Sequence, residues 1–556
     1  TSTKELKTTT HNSMVSIVKE MGAAFDETTI ENSDETTNPD DNNEGKIRKN
    51  LIEKNNIDTI IGLPADIFFG TGIPTIVMVL KKQKTDSDVL IIDASKYFIK
   101  DGKKNKLQAS DIKRIVDVVE KRESVPGFAA LVSREKIREN EYNLNIPRYI
   151  DNTEKQDTSD IYATMFGGYP KVEIEELSNY WKVFSGLREE IFKDNGTPFC
   201  SLNTGDIKQT VNENTKVISY KKNFESKFED FEKYLTDRFI EDALEINLNK
   251  EEKIITDNIY DRIKDIPLTD KYEAYQIFDD KWQVIGNDLE IIQIEGFQAT
   301  KIVDKHMVIK KKDDKEYEVQ DGWEGHVLPF DIVQEELLKE DLGKIANTEN
   351  EVKSVENKIE EYFGLLTAEE LEGDFVTEEK DAFVPKEIEK FLSETAADLL
   401  DVEKPTKKAI SDKVKEMLKE NSFEKDSTEY KLVEVQKLIT EMKELKKTLK
   451  KQSDELHLKT KATIESLSDE QVKELLKIKW IKPLVSQTKA MSDEIVNGFV
   501  AKLNALKKKY ETTFVDVEEK LDKTEIEVNK MLSKLCGNDY DVKGIKEFQK
   551  LLKAGE

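Results

Sequence analysis

The fold class this sequence predicts is an α/β sheet on the N-terminal side, followed by a mostly α-helical region with coiled-coil-like hairpins. Three observations carry it. Between residues 57 and 93, three short runs rich in β-branched residues are apolar without alternation, the pattern of strands covered on both faces. Beyond residue 331, apolar residues recur at alternating spacings of three and four, the seam of helices that pack along one another. Charged residues make up 36% of the 556-residue chain and apolar residues 37%, which suits long solvated helices around modest cores better than one large core. The length allows two to four domains.

Residues 1–43 are rich in Thr, Asn, Asp and Glu. They read as a low-complexity or disordered segment holding one short amphipathic piece, Met14 to Phe25. The α/β segment spans residues 44–150. Ile47, Leu51 and Ile52 share a helical face, and Asn55 and Asn56 stop that helix. The run Ile57 to Ile61 is a strand closed by Gly62-Leu63-Pro64. After a loop containing Phe68-Phe69-Gly70-Thr71-Gly72, a second strand runs from Thr75 to Leu80 and ends in Lys81 and Lys82. Val89 to Asp93 is a third. Gly62-Leu63-Pro64 and Thr71-Gly72 read as backbone devices, since glycine permits positive φ and close chain approach and Pro64 fixes the exit from the strand. Residues 110–123 form an amphipathic helix with Ser110 as its cap.

Residues 151–330 are a mixed α/β middle region. Trp181 and Phe184 lie one turn apart in a helix. Tyr272, Tyr275, Phe278 and Trp282 repeat at helical spacing and read as core, while Leu289 to Ile294 and His306 to Ile309 look strand-like. Residues 331–556 form a helical, coiled-coil-like tail. Leu338, Ile345, Thr348, Val352, Val355, Ile359 and Tyr362 make one seam, with Asp341 at a seam position. Val435, Leu438, Met442, Leu445, Leu449 and Leu456 make another, interrupted by Gln452. Phe499, Leu503, Leu506, Tyr510, Val517 and Leu521 make a third. Such seams fit hairpins folded on themselves or a stripe that meets a partner's helices. The high effective concentration of intramolecular pairing favours the hairpins.

The formal net charge of −27 repels phosphate over most of the surface, so any DNA contact is local or supplied by a more basic partner. Cys200 and Cys536 stand far apart with no metal or redox spacing and point to a reducing, cytoplasmic setting. His11, His306, His326 and His457 are scattered without a ligand partner at useful spacing, so no metal site is expected. No apolar run reaches the ~18 residues of a membrane helix, and no signal-peptide pattern opens the chain.

The string EGKIRKNLIEKNNIDTIIGLPADIFFGTGIPTIVMVL, Glu44 to Leu80, resembles the second half of the catalytic domain in the methylation subunits of type I restriction–modification systems. The resemblance continues through Val89 to Ser95, through Glu141-Tyr142-Asn143-Leu144-Asn145-Ile146-Pro147-Arg148-Tyr149, and through Gly167-Gly168-Tyr169-Pro170. Tyr272 to Trp282 is similar to an aromatic helix in many members, and the helical tail to the family's tail. The resemblance implies that residues 44–150 are the distal part of a Rossmann-like methyltransferase sheet. For the full-length family it implies methyl transfer from S-adenosylmethionine to the exocyclic amine of adenine in DNA, with the base flipped out of the duplex. Its implied partners are a specificity subunit and a restriction subunit, with DNA met only within the complex and no membrane.

This sequence departs from the family at the chemistry. No Asn-Pro-Pro-aromatic string occurs in it. The nearest, Asn38-Pro39-Asp40-Asp41, follows a polar run and has an acid in place of the aromatic. No glycine-rich turn after a strand precedes residue 46. The expectation is therefore no catalytic residue, no cofactor-binding residue and no bound cofactor in this chain, which is inactive alone as a fragment, a truncated product or half of a split subunit, and serves assembly. An acidic coiled-coil scaffold without a methyltransferase role is the alternative, and it leaves the strands at 57–93 unexplained.

Related adenine methyltransferases pack an aromatic of the corresponding loop on the extruded base, and Phe69 matches that place. Base stacking and a loop aromatic tucked against the sheet both stay open for Phe69, while the tucked reading suits Phe68. Lys46, Arg48 and Lys49 are the DNA-phosphate candidates, and Lys100, Lys103, Lys104 and Lys106 form a second basic group. Either group could contact phosphates, and a solvated helix end or loop is the more common explanation for such lysines.

Overall fold

The first three strands pair into one sheet because their apolar runs leave them no soluble alternative. In the computed structural model, which describes residues 43–68, 72–152, 158–312, 315–400, 402 and 404–553, the chain is mostly helical with small mixed sheets. It divides into two units, residues 1–234, 247–284 and 484–556 in one and residues 235–246 and 285–483 in the other. The stretch Met14 to Phe25 and most of the segment 1–43 lie outside the described residues.

The first unit opens with helix α1 (Asn43–Glu53), strands β1 (Ile57–Gly62), β2 (Ile76–Leu80) and β3 (Val89–Asp93), a hairpin of β4 (Ile99–Asp101) and β5 (Lys104–Lys106), helix α2 (Ala109–Lys121), strand β6 (Ala129–Val132) and helix α3 (Arg134–Glu139). Asn55, at φ 59°, turns the chain out of α1 as the sequence predicts. The sheet order is β2-β1-β3-β6. Every residue of β1 and β3 is buried, and successive side chains go to opposite cores. Ile61, Leu63, Leu90 and Ile92 pack with Ile115, Val118 and Phe128 on the α2 face. Ile57, Ile60, Val89 and Ile91 pack with Ile52, Ile137 and Ile150 on the other. Apolar cover on both faces is the physical reason for the unbroken apolar runs.

Three expectations need correction here. The runs suggested α/β strands all buried alike, but only β1 and β3 are parallel; β2 and β6 run antiparallel to their neighbours. β2 is an edge strand with Ile76 and Leu80 exposed, because it returns directly beside β1 without a crossover. The α2 cap is Gln108, whose backbone N–H donates to the Asp111 side chain; Ser110 lies inside the first turn, where its N–H donates to Gln276.

Charge closes the start of β1. Asp58, 1% exposed, takes Lys81 at 2.9 Å and Arg122 at 2.8 Å, and Arg122 reaches on to Asp86 at 3.0 Å. Further along, α2 meets the helix Lys271–Glu295. Arg114 pairs with Asp270 at 2.5 Å and lies over the rings of Tyr272, Tyr97 and Phe128, while Asp117 receives the Tyr272 hydroxyl at 3.3 Å. Tyr272, Tyr275 and Phe278 are buried, as their spacing predicted, while Trp282 is only half-buried. Trp181 stands in the helix Ser178–Val183, and Phe184 at its end. Phe499, Leu503, Leu506 and Tyr510 are buried along the helix Lys482–Tyr510. The third seam does not continue: Thr513 caps a new helix, Phe514–Leu532, on which Val517 and Leu521 are exposed.

In the second unit, Leu289 to Ile294 is not a strand but the end of the helix Lys271–Glu295. Ile285, Leu289 and Ile292 are buried at spacings of four and three, so helical packing overrides local β-propensity. The reading of His306 to Ile309 as strand holds within a two-stranded ribbon, Val303–Lys312 with Lys315–Gly325. The helices Lys339–Gly364 and Thr428–Glu465 pack antiparallel, the arrangement favoured from the seams. Lys446 pairs with Glu356 at 2.9 Å and Lys459 with the seam residue Asp341 at 2.5 Å, so one helix descends as the other rises. Near the start of the helix Thr428–Glu465, its Leu432 and Val433 pack with Phe375, Ile388, Leu392 and Met417 in a small core. No helix among the described residues is long and apolar enough to cross a membrane.

Candidate functional site

The carboxyl ends of β1 and β3 and the loop that follows β1 are where a sheet of this build presents backbone to a ligand. The loop is held at its base by the Leu63 N–H donating to the Thr75 carbonyl at 2.8 Å. Pro64 is buried. Asp66 sits at φ 56°, a left-handed conformation that reverses the chain. The β4–β5 hairpin, turned by Gly102 at φ 62°, fastens the loop from outside. Asn105 donates its side-chain amide to the Ala65 carbonyl at 2.8 Å and its backbone N–H to the Asp66 carbonyl at 3.2 Å. The opposite amide orientation would set two oxygens at that 2.8 Å separation, so the donor assignment is fixed by chemistry.

Phe69 lies outside the described residues, as does Asn38-Pro39-Asp40-Asp41. Phe68 is not tucked against the sheet: it is 47% exposed, and Ile73 is 56% exposed. The loop therefore presents apolar side chains to solvent at Phe68 and Ile73.

Lys46, Arg48 and Lys49 stand on α1. Lys46 and Lys49 are exposed and Arg48 is half-buried. The Lys49 ammonium lies 5.0 Å from the centre of the Tyr142 ring, so part of this group is engaged within the fold. Lys100, Lys103 and Lys106 are exposed on the β4–β5 hairpin, and Lys104 is half-buried.

Around these groups the acids hold structure. Asp93, at the end of β3, takes the Ser95 N–H at 3.0 Å and the Asn152 amide at 3.2 Å. Glu53, at the end of α1, receives Arg138 through both oxygens at 2.8 and 2.6 Å and the Tyr142 hydroxyl at 2.7 Å. The Arg138 hydrogen bonds, with that of Tyr142 next, hold the Glu53 carboxyl down at about 2. That pairing fastens the Glu141–Tyr149 stretch to α1. Its stabilisation is present above the ordinary carboxyl value of 4.5 and is lost as pH falls through about 2. In urea melts of the native chain and Glu53→Gln, the stability difference is expected to shrink steadily as pH is lowered from 6 to 3. A difference that stays constant across that range means the pair does not act as described.

A cofactor-binding turn needs glycines that leave room for a ligand beside the backbone. A Cβ at Gly62 would come within 2.5 Å of the Ile146 side chain, so this glycine admits a neighbouring residue rather than a ligand. Among the described residues no group of three or more His, Cys, Asp or Glu is placed to hold a metal ion. Cys200 is buried and Cys536 exposed.

Residues 37–158, which include the whole of this sheet, match the model of the N-6 DNA methylase family. The methylase subunit of the type I restriction enzyme MpnII from Mycoplasma pneumoniae is 37% identical over 122 residues, 21% of this chain and 22% of that protein. The methylase subunit of the type I enzyme MjaVII from Methanocaldococcus jannaschii is 40% identical over 154 residues, 27% of this chain and 25% of that protein. Over this segment the chain is similar to the methylation subunits of type I restriction–modification systems. It spans about a quarter of the length of these curated relatives. A crystal structure of the methyltransferase subunit of a type I restriction–modification system from Streptococcus thermophilus is 53% identical, covering 20% of this chain and 24% of that one, with a TM-score of 0.20.

Sequence reasoning missed Asn105, Asp93 with Asn152, and Glu53 with Arg138. Asn105 sits in a lysine run and gives no periodic signal. The other two pairs join residues 59 and 85 positions apart, and one sequence contains nothing that couples them.

Proposed function

We propose that this chain supplies the distal part of the methyltransferase sheet, and a partner-binding helical tail, to a type I methylation complex whose full-length subunits transfer a methyl group from S-adenosylmethionine to N6 of adenine in DNA. The observation that carries the reading is the coincidence of the family match with a sheet covered by helices on both faces, which supports a Rossmann-like remnant. In this reading Phe69, on the loop after β1, stacks on the extruded base. Lys46, Arg48 and Lys49 lie towards phosphate. No Asn-Pro-Pro-aromatic string occurs in this sequence, and in this reading it works within an assembly.

The tail supports the assembly role. On the helix Phe514–Leu532 and just beyond it, Phe514, Val517, Leu521, Thr524, Val528, Met531 and Leu535 follow one another at alternating spacings of three and four. Phe514, Val517, Leu521, Met531 and Leu535 are each more than half exposed. An exposed heptad stripe is what a partner's helix buries, and a specificity subunit is the partner this reading assigns.

The test is to mix the chain with a specificity subunit and size the product by light scattering. A stable complex is expected, and Leu521→Asp with Met531→Asp should abolish it while leaving the melting of the chain unchanged. Failure of the native chain to form a complex removes the assembly role. Micromolar binding of S-adenosylmethionine by the isolated chain, read by calorimetry, would overturn the claim that the cofactor site lies elsewhere.

A further inference from the structure

We infer that the β4–β5 hairpin is a phosphate-contacting arm that grips the DNA backbone beside the loop after β1, with Asn105 as the residue that couples arm to loop. The inference rests on the reading of this chain as part of a DNA methyltransferase, and names a contact surface within it.

The hairpin has little to do with the core. All of β4 is exposed, and in β5 Asn105 is the one buried residue, at 8% exposure. Its side-chain amide holds the carbonyl of Ala65, while its backbone N–H holds that of Asp66. A two-stranded hairpin is marginal by itself, so its position depends on this attachment. Half of the hairpin's residues are basic. Residues 99–106 hold four lysines and one aspartate, and Asp101 stands opposite Lys104 in the register. Lys100, Lys103 and Lys106 are left exposed, and among the described residues their ammonium groups make no ion pair or hydrogen bond.

That is notable in a chain where acids outnumber Lys and Arg by 114 to 87. Some exposed lysines elsewhere pair, as Lys253 does with Asp257 and Lys264 with Asp261; on the hairpin three stand together without such a partner among the described residues. Three unpaired cations on a short arm keep a local positive potential within a Debye length of roughly 8–10 Å, even on a polyanion. Phosphate is the partner whose charge and spacing such an arm meets. Because the arm is bonded to the loop backbone, phosphate contact fixes where the loop stands on the duplex.

The experiment uses the full chain and a 24-base-pair duplex with a mismatched adenine, with affinity measured by fluorescence anisotropy over a range of salt. Replacing Lys100, Lys103 and Lys106 by Gln is expected to weaken binding at least tenfold at low salt. It should also lower the slope of log K against log salt by about 2–3, close to one per phosphate contact. The same change at three exposed lysines elsewhere, Lys121, Lys253 and Lys264, alters the net charge equally and should leave the slope unchanged. Asn105→Ala, with all lysines present, should weaken binding without lowering the slope fully. Equal losses for the two triple variants, or no binding by the native chain, overturn the inference. A native chain that binds a specificity subunit, yet shows no effect of the hairpin variants, removes the arm and leaves the proposed function standing. A chain that forms no complex but keeps the hairpin-dependent slope does the reverse.

Discussion

Phe499→Ala is expected to cost about 4 kcal/mol, the upper range for emptying a buried aromatic site, and to lower the first unfolding transition of the chain. Phe499 is fully buried on the helix Lys482–Tyr510. Its ring stacks on Tyr180 at 4.4 Å, meets Trp181 edge-on at 5.1 Å and lies 5.9 Å from Phe184. Each aromatic pair adds about 0.5–1.5 kcal/mol beyond area burial. Against a typical net stability of about 5–15 kcal/mol, the loss is a large share. The effect extends to the Gly167-Gly168-Tyr169-Pro170 stretch, because the same helix ends on Tyr510, whose hydroxyl receives the Asp160 N–H at 2.9 Å and donates to Glu173. Trp181 fluorescence should follow the early transition in urea, and Phe499→Leu should recover roughly half of the loss. A shift below about 1 kcal/mol for the alanine variant would mean that the ring cluster does not bind the two segments together.

That cluster shows where sequence legibility stops. β1 and β3 were legible because burial on both faces leaves an unbroken apolar run, and the long antiparallel helices because two matched seams lie in one chain. The exposed side of β2 was not legible, since an edge strand and a central strand differ only in what lies beside them. The end of the third seam was written in the sequence: Thr513 and Asp516 form a capping box, but Tyr510 to Val517 is one heptad step, so the periodicity ran on through the break. The run Leu289 to Ile294 misled for the opposite reason, a locally β-prone string inside a helix whose buried positions, from Phe278 through Ile285 and Leu289 to Ile292, keep helical spacing. At the candidate site the loop after β1 was found through its motif. Asn105, which holds it, was hidden among charges, and Phe499 meets Tyr180 across more than three hundred residues. Pairings of that kind come from packing, and a single sequence does not encode them as a pattern.

In the second unit the corresponding weak point is polar. Asp288 is 7% exposed, and a single carboxylate oxygen receives both the Lys479 ammonium at 2.5 Å and the Trp480 indole N–H at 2.8 Å. Successive side chains diverge by about 100° around an α-helix, and it is the widened turn Lys477–Ile481 that carries these two neighbours onto one acceptor. Lys479 also donates to the Val327 carbonyl at 2.6 Å, and Trp480 is 1% exposed. Asp288→Ala leaves a desolvated ammonium and a buried indole N–H without their shared acceptor, and is expected to destabilise the unit by about 3–5 kcal/mol. Asp288→Asn keeps an acceptor for the indole but removes the charge, so about half of that loss should remain. Replacing the pair together, Asp288→Leu with Lys479→Met, removes the uncompensated charge and should lie much closer to the native chain than Asp288→Ala does. Urea unfolding followed by Trp480 fluorescence measures all three. The decisive comparison is between the alanine variant and the double replacement, because a double variant as unstable as Asp288→Ala would show that the carboxylate acts through shape, and not by answering the charge of Lys479.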